Sequence, residues 1–183
     1  MRVLGLSGSL REGSHNTRLL EGARTLLPSG VELVRFEGLA EIPYYSEDRE
    51  HRTPAAVAAL VAATAEADAI LVATPEYNGS IPGHLKNALD WISRPVVGRP
   101  MRGKPAAVIG ASAGLFGAVW AQAEMRKVLT MMGARVIDRE LPIGGADEAI
   151  GPDGLPLDPD AVRELSGILD ELIELAEPAR VAA

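Results

Sequence analysis

Short apolar runs alternate with helical patterns from one end of the chain to the other, and no other feature constrains its fold as tightly. Val3-Leu4-Gly5-Leu6 reads as a buried strand that stops at Ser7-Gly8-Ser9. A helix starting near Asn16 sets Leu19, Leu20, Ala23, Leu26 and Leu27 on one face and ends at Pro28-Ser29-Gly30. Val31 to Phe36 is a second strand. Thr53-Pro54 supplies a cap with proline at the first helical position, and an alanine-rich helix follows. Ala69 to Ala73 is apolar at every residue, as a strand buried on both faces must be. Pro82 opens a third helix, Ala106 to Ile109 forms a fourth strand, and a fourth helix runs from Val119 to Met132. Ala134 to Ile137 is a fifth strand. Asp158-Pro159 repeats the cap signal before a helix with Val162, Leu165, Leu169, Leu172, Ile173 and Ala176 on its apolar face.

Five strands alternating with five helices specify a parallel α/β sheet covered on both faces, although the pattern leaves the strand order open. No repeat or compositional break divides the 183 residues, so residues 1–183 read as a single domain, with 178–183 as a frayed tail. A formal charge of −7 argues against nucleic acid, whose phosphates require a basic surface. No run approaches the roughly 18 apolar residues of a membrane span, and the apolar stretch after Arg2 is too short for a signal peptide. The absence of cysteine excludes disulfides and thiolate chemistry and fits a cytoplasmic location. His15, His51 and His84 are the only histidines, and none is four residues from another, so no metal site is expected. Lys86 and Asp90 read as a surface pair, Glu47 to Arg52 as a solvated charged loop, and Asp147 to Pro156 as a surface excursion.

Ligands of such sheets sit beyond the carboxyl ends of the strands, where the strand order reverses. Gly8 to Thr17, after the first strand, gathers hydroxyls, backbone N–H groups and Arg11 at a helix N-terminus, which suits a phosphate monoester. The same residues also suit an ordinary polar loop in which Ser14 or Asn16 caps the helix. Gly5, Gly8 and Gly13 do not make a dinucleotide fingerprint, and no P-loop follows. Thr74 to Gly83 can lay backbone N–H groups along a flat ring beside Tyr77, or can simply join strand to helix. Gly110 to Gly117 is a glycine-rich turn that lets backbone approach a ligand closely. Taken together, the three loops would hold a mononucleotide that carries a flat ring.

Gly8-Ser9-Leu10-Arg11 with Ser14 and Asn16, and the long stretch Pro75-Glu76-Tyr77-Asn78-Gly79-Ser80-Ile81-Pro82 through Asp90-Trp91, resemble the NADPH-dependent FMN reductase family, which includes quinone and chromate reductases and some azoreductases. The resemblance extends over nearly the whole chain. It implies a flavodoxin-like three-layer sandwich with strand order 2-1-3-4-5 and bound FMN. By position, Ser9, Arg11, Ser14, Asn16 and Thr17 would hold the phosphate. Pro75, Glu76, Tyr77, Asn78 and Gly79 would line the isoalloxazine, and Ser112, Ala113 and Gly114 would approach its pyrimidine end.

The implied reaction takes hydride from NADPH or NADH onto the flavin and passes it to a quinone, free flavin, azo compound or chromate. No side chain is needed as a general base, and the sequence nominates no catalytic residue. The rival reading is a flavodoxin-type electron carrier with no substrate of its own. Trp91 lies off its helix's apolar stripe, as do Trp120 and Met131 on theirs, which points to a homodimer or a dimer of dimers.

Overall fold

The computed structural model describes residues 1–94 and 97–181, without the side chains of 178–181. Its strands are β1 (Arg2–Ser7), β2 (Glu32–Arg35), β3 (Ala69–Thr74), β4 (Pro105–Ala111), β5 (Arg135–Val136) and β6 (Pro142–Ile143). Its helices are α1 (His15–Thr25), α2 (Ala55–Glu66), α3 (Gly83–Ile92), α4 (Val119–Met131), α5 (Ala146–Ala149) and α6 (Pro159–Val181). The sheet is parallel in the order β2-β1-β3-β4-β5, the flavodoxin-like order that the resemblance implied, and β6 also pairs with β4.

Alternation along each strand divides the core in two. Leu4, Leu6, Ile70, Val72, Ala106 and Val108 face one way and pack against α2, α3 and α4. Val3, Leu33, Ala69, Leu71, Ala73, Ala107 and Ile109 face the other way and pack against α1 and α6. The apolar stripes read from the sequence are largely the faces buried here, with Leu26, Leu27, Val162 and Ile173 only partly covered. Leu85, Ala88, Leu89 and Ile92 are buried on α3, and Leu165, Leu169, Leu172 and Ala176 are buried on α6.

Several expectations change, beginning with the five strands and five helices, which become six of each, and the fifth strand, which shortens to Arg135–Val136. Trp91 is fully buried within its own chain, because the segment from Ile42 to Tyr45 covers the flank of α3. The indole Nε1 donates to the Pro43 carbonyl at 2.8 Å, and the Tyr45 ring meets the indole edge-on at 5.2 Å. Trp91 is therefore a core residue and no subunit anchor. Residues 147–156 are not a plain surface excursion either. Ile150 is buried, Ile150 and Pro156 form a bridge, and Gly154 lies against the backbone of α1. The charged run 47–52 is exposed as expected, but it winds as a 3-10 helix. Finally, α6 continues to Val181 through four residues expected as tail, and 182–183 lie outside the described residues.

Candidate functional site

The loops after β1, β3 and β4 meet at the carboxyl edge of the sheet around a cleft of about 340 Å³, within the size range of small-molecule sites. Ser9, Arg11, Ser14, Asn16, Pro75, Glu76, Tyr77, Ser112 and Ala113 line it. Thr17, Asn78, Gly79 and Gly114 belong to the same loops but are not among the lining residues.

At one end of the cleft is the start of α1. Ser14 is the N-cap, its hydroxyl accepting the Thr17 N–H at 3.3 Å, so the cleft lies at the positive end of the helix. The Ser9 hydroxyl accepts from the Arg11 N–H, and the Arg11 side chain is exposed on the rim. Thr17 shares a hydrogen bond with the Ser7 hydroxyl at 2.8 Å and thereby ties α1 to β1. Asn16 is buried. Its amide donates to the Ala111 carbonyl and accepts from the Ala111 N–H, so its side chain braces the cleft from behind.

The turn after β3 closes on itself, with Tyr77 N–H donating to Ser80 O at 2.9 Å and Ser80 N–H to Tyr77 O at 3.2 Å. Asn78 and Gly79, at φ of 55° and 72°, occupy its two central positions. Both need the left-handed region, which asparagine and glycine tolerate best. Glu76 turns its carboxylate to the start of α4 and accepts the N–H groups of Trp120 and Ala121 at 3.0 and 3.1 Å. The Ser80 hydroxyl donates to Glu124 at 2.6 Å, a second tie between turn and helix. Tyr77 is left half exposed at the cleft.

The third loop is fixed from below. Ser112 N–H donates to Ile143 O, Ala146 N–H to Ser112 O, and Gly145 N–H to Gly114 O. This brings α5 to the cleft, where its Asp147 meets His15 of α1, and sequence reading nominated neither of these lining residues. His15 Nε2 lies 3.0 Å from an Asp147 carboxylate oxygen. These partners are 132 positions apart, so no local pattern could have joined them. Ala111, the third addition, reaches the lining through its backbone place at the end of β4. Among the described residues no cluster of side chains could hold a metal ion, and no helix is long and apolar enough to cross a membrane.

The donor set at the start of α1 fits a phosphate monoester, and the turn with Tyr77 fits a planar ring. The sequence model described as NADPH-dependent FMN reductase matches residues 1–148. An NAD(P)H-dependent FMN reductase of Pseudomonas aeruginosa is 44% identical over 167 residues, covering 90% of this chain and 89% of the relative. A quinone reductase of Escherichia coli is 33% identical over 99% of this chain and 98% of its own length. Among solved structures, the flavoenzyme NAD(P)H:(acceptor) oxidoreductase FerB of Paracoccus denitrificans superimposes with a TM-score of 0.84 at 34% identity, covering 97% of both chains.

Proposed function

The chain belongs to the NADPH-dependent FMN reductase family, and on that premise we propose that its three-loop cleft is the flavin site of a quinone-type reductase in which residues 1–183 serve as one FMN-binding domain. It is a flavin-dependent oxidoreductase that uses FMN and a nicotinamide co-substrate. The flavin, when bound, supplies the hydride-accepting chemistry, and the protein supplies position and electrostatics.

One observation carries the assignment of residues: phosphate donors at the start of α1 and the turn that carries Tyr77 line a single cleft. Ser9, Arg11, Ser14 and the first N–H groups of α1 hold the phosphate. Asn16 and Thr17 hold the cup's shape. Pro75, Tyr77, Asn78 and Gly79 lie along the isoalloxazine, and Glu76 fixes their turn to α4. Ser112, Ala113 and Gly114 offer backbone to its pyrimidine end. The acceptor is a small molecule, for which the likeness to a quinone reductase over nearly the whole length favours a quinone. The absence of cysteine favours the cytoplasm. Leu115, Phe116 and Trp120, all exposed at the start of α4, favour a homodimer.

The test is selective loss. Wild-type protein releases FMN on denaturation, and NADPH or NADH bleaches its bound flavin anaerobically. Arg11→Ala weakens FMN by about tenfold to a hundredfold and leaves riboflavin binding nearly unchanged, since the lost contact is one that only the phosphate can use. Equal loss for both ligands would remove Arg11 from the phosphate site, and a protein unable to take up FMN would overturn the reading.

A further inference from the structure

Two residues that line the cleft have no part in the assignment above. His15 is the first residue of α1, and its Nε2 lies 3.0 Å from a carboxylate oxygen of Asp147. The histidine side chain is 13% exposed and the aspartate 71%, so water reaches the carboxylate and hardly reaches the ring. The other ring nitrogen, Nδ1, is buried and has no hydrogen-bond partner among the described residues. A carboxylate only accepts, so Nε2 carries the hydrogen and Nδ1 is bare in the neutral ring. A second proton can enter only at Nδ1.

The charges of the cleft show why that second proton matters. Besides His15, the lining residues supply one cation, Arg11, against two carboxylates, Glu76 and Asp147. Glu76 is answered by the N–H groups of Trp120 and Ala121, whereas Asp147 has His15 alone among the described residues. A phosphate monoester carries a charge of about −1.5 to −2 at pH 7, so it enters beside an unbalanced carboxylate unless the imidazole is charged. Other charges on the elements that meet His15 do not supply the balance. The Arg18 guanidinium, one turn along α1, is committed to the Ile150 and Gly151 carbonyls. Glu12 and Glu148 are exposed and of the wrong sign, and Asp153 accepts the Leu155 N–H.

We propose that His15 couples cofactor loading to proton uptake: it is a neutral imidazole before FMN binds and takes one proton from solvent at Nδ1 when the phosphate enters, becoming an imidazolium that answers both the phosphate and Asp147. The proposal rests on the flavin reading above, because it needs a phosphate at the start of α1. Without that anion, an N–H at Nδ1 is buried with no acceptor and stands at the positive end of the α1 dipole. The phosphate removes both penalties, and a hydrogen bond between two charged groups is stronger than one between neutral groups. Asp147 is the positioning residue of the pair. By accepting from Nε2 it fixes the ring and directs the incoming proton to Nδ1. The chain therefore holds FMN more tightly in neutral than in alkaline solution.

The test counts protons. The full chain, stripped of flavin and shown by circular dichroism to keep its fold, is titrated with FMN in a calorimeter, and riboflavin serves as the control. Repeating the titration in buffers of different ionisation enthalpy gives the number of protons exchanged. At about pH 7.5 a free phosphate monoester has lost most of its second proton and a free imidazole is largely neutral, so neither hides the exchange. FMN brings in about one proton more than riboflavin, and its affinity falls by about threefold to tenfold from about pH 7 to about pH 8 while that of riboflavin stays level. His15→Gln binds FMN without the extra proton and loses the slope. Asp147→Asn lowers the count, because the imidazolium has lost its carboxylate.

Equal uptake for FMN and riboflavin would overturn the proposal. So would an uptake that His15→Gln retains, which would make His15 a packing residue, or a count that Asp147→Asn leaves unchanged. Quenching of flavin fluorescence reports binding independently of the proton count. Protein that takes up no FMN therefore sinks the flavin reading and this proposal together, whereas FMN bound without a proton sinks this proposal alone.

Discussion

The side-chain amide of Asn16 makes both of its hydrogen bonds to one residue, donating to the Ala111 carbonyl at 2.9 Å and accepting from the Ala111 N–H at 3.0 Å. It thereby extends β4 by one side chain and fixes the first turn of α1 against the last residue of the strand. Both residues are buried, so neither backbone group can turn to water if the amide is removed. Asn16→Ala destabilises the fold by about 1–3 kcal/mol in urea denaturation and weakens FMN even at concentrations where the protein remains folded. Unchanged stability would show that water replaces the amide and that the brace is unnecessary.

The parts of this architecture that were readable follow from local physics. Ala69 to Ala73 could only be a strand buried on both faces, and Asn78-Gly79 could only close a tight turn through positive φ. The donor-rich start of α1 was readable because a helix N-terminus advertises its capping residues. Trp91 was misread because the residues that cover it, Ile42 to Tyr45, form no periodic element and lie more than forty positions away. β6 and α5, of two and four residues, are too short to show any period, yet they support Ser112 and deliver Asp147 to His15. The commitment of Asn16 to Ala111 rather than to solvent or ligand spans 95 positions and was equally invisible.

Gly154 explains why residues 147–156 are not free to wander. Its φ is 83°, and a Cβ placed there would come within 2.2 Å of the Arg18 carbonyl oxygen of α1. Gly22 on the facing helix is equally tight, its Cβ position lying 2.5 Å from the Gly154 backbone. Two glycines thus allow two backbones to touch, and the Arg18 guanidinium adds a hydrogen bond to the Ile150 carbonyl at 3.1 Å. Gly154→Ala combines left-handed strain with steric overlap and costs about 2–4 kcal/mol. Gly13→Ala has a similar positive φ but open space at its Cβ position, and costs only about 1–2 kcal/mol. Equal losses in thermal denaturation would mean that Gly154 is needed for conformation alone.

His84 gives the fold a pH dependence of known sign. Burial holds its imidazole below the ordinary histidine value of 6.5, partly offset by a hydrogen bond with the Gly8 backbone, and its Nε2 is buried with no hydrogen-bond partner among the described residues. The unfolded chain therefore takes up a proton on this residue at a higher pH than the folded chain does. Between those two values the unfolded state binds more protons, so stability falls as the pH drops below 6.5. Wild-type protein loses more stability than His84→Gln between about pH 7.5 and about pH 5.5, and the two curves run parallel above that window. Curves that stay parallel throughout would assign the acid sensitivity to other groups.

Assembly is best tested at Trp120. With Trp91 in the core, three exposed large apolar residues gather where α4 begins: Leu115, Phe116 and Trp120, which are 84%, 59% and 51% exposed. Phe116 and Trp120 already pack against one another edge to face at 4.9 Å, which stiffens them into a small aromatic plate. Rigid exposed aromatics of this kind are the residues that anchor protein interfaces when a second surface covers them. Glu76 caps the same helix start, so a partner docking on the plate would press directly on the turn that carries Tyr77. Trp120→Glu keeps the backbone N–H that Glu76 accepts, so the cap of α4 is retained. In sedimentation the wild type runs as a dimer or a pair of dimers, and Trp120→Glu shifts toward the monomer, because burying an unpaired charge at the seam costs more than the lost apolar contact alone. A wild type that sediments as a monomer, or a variant with unchanged mass, would leave the plate as free surface.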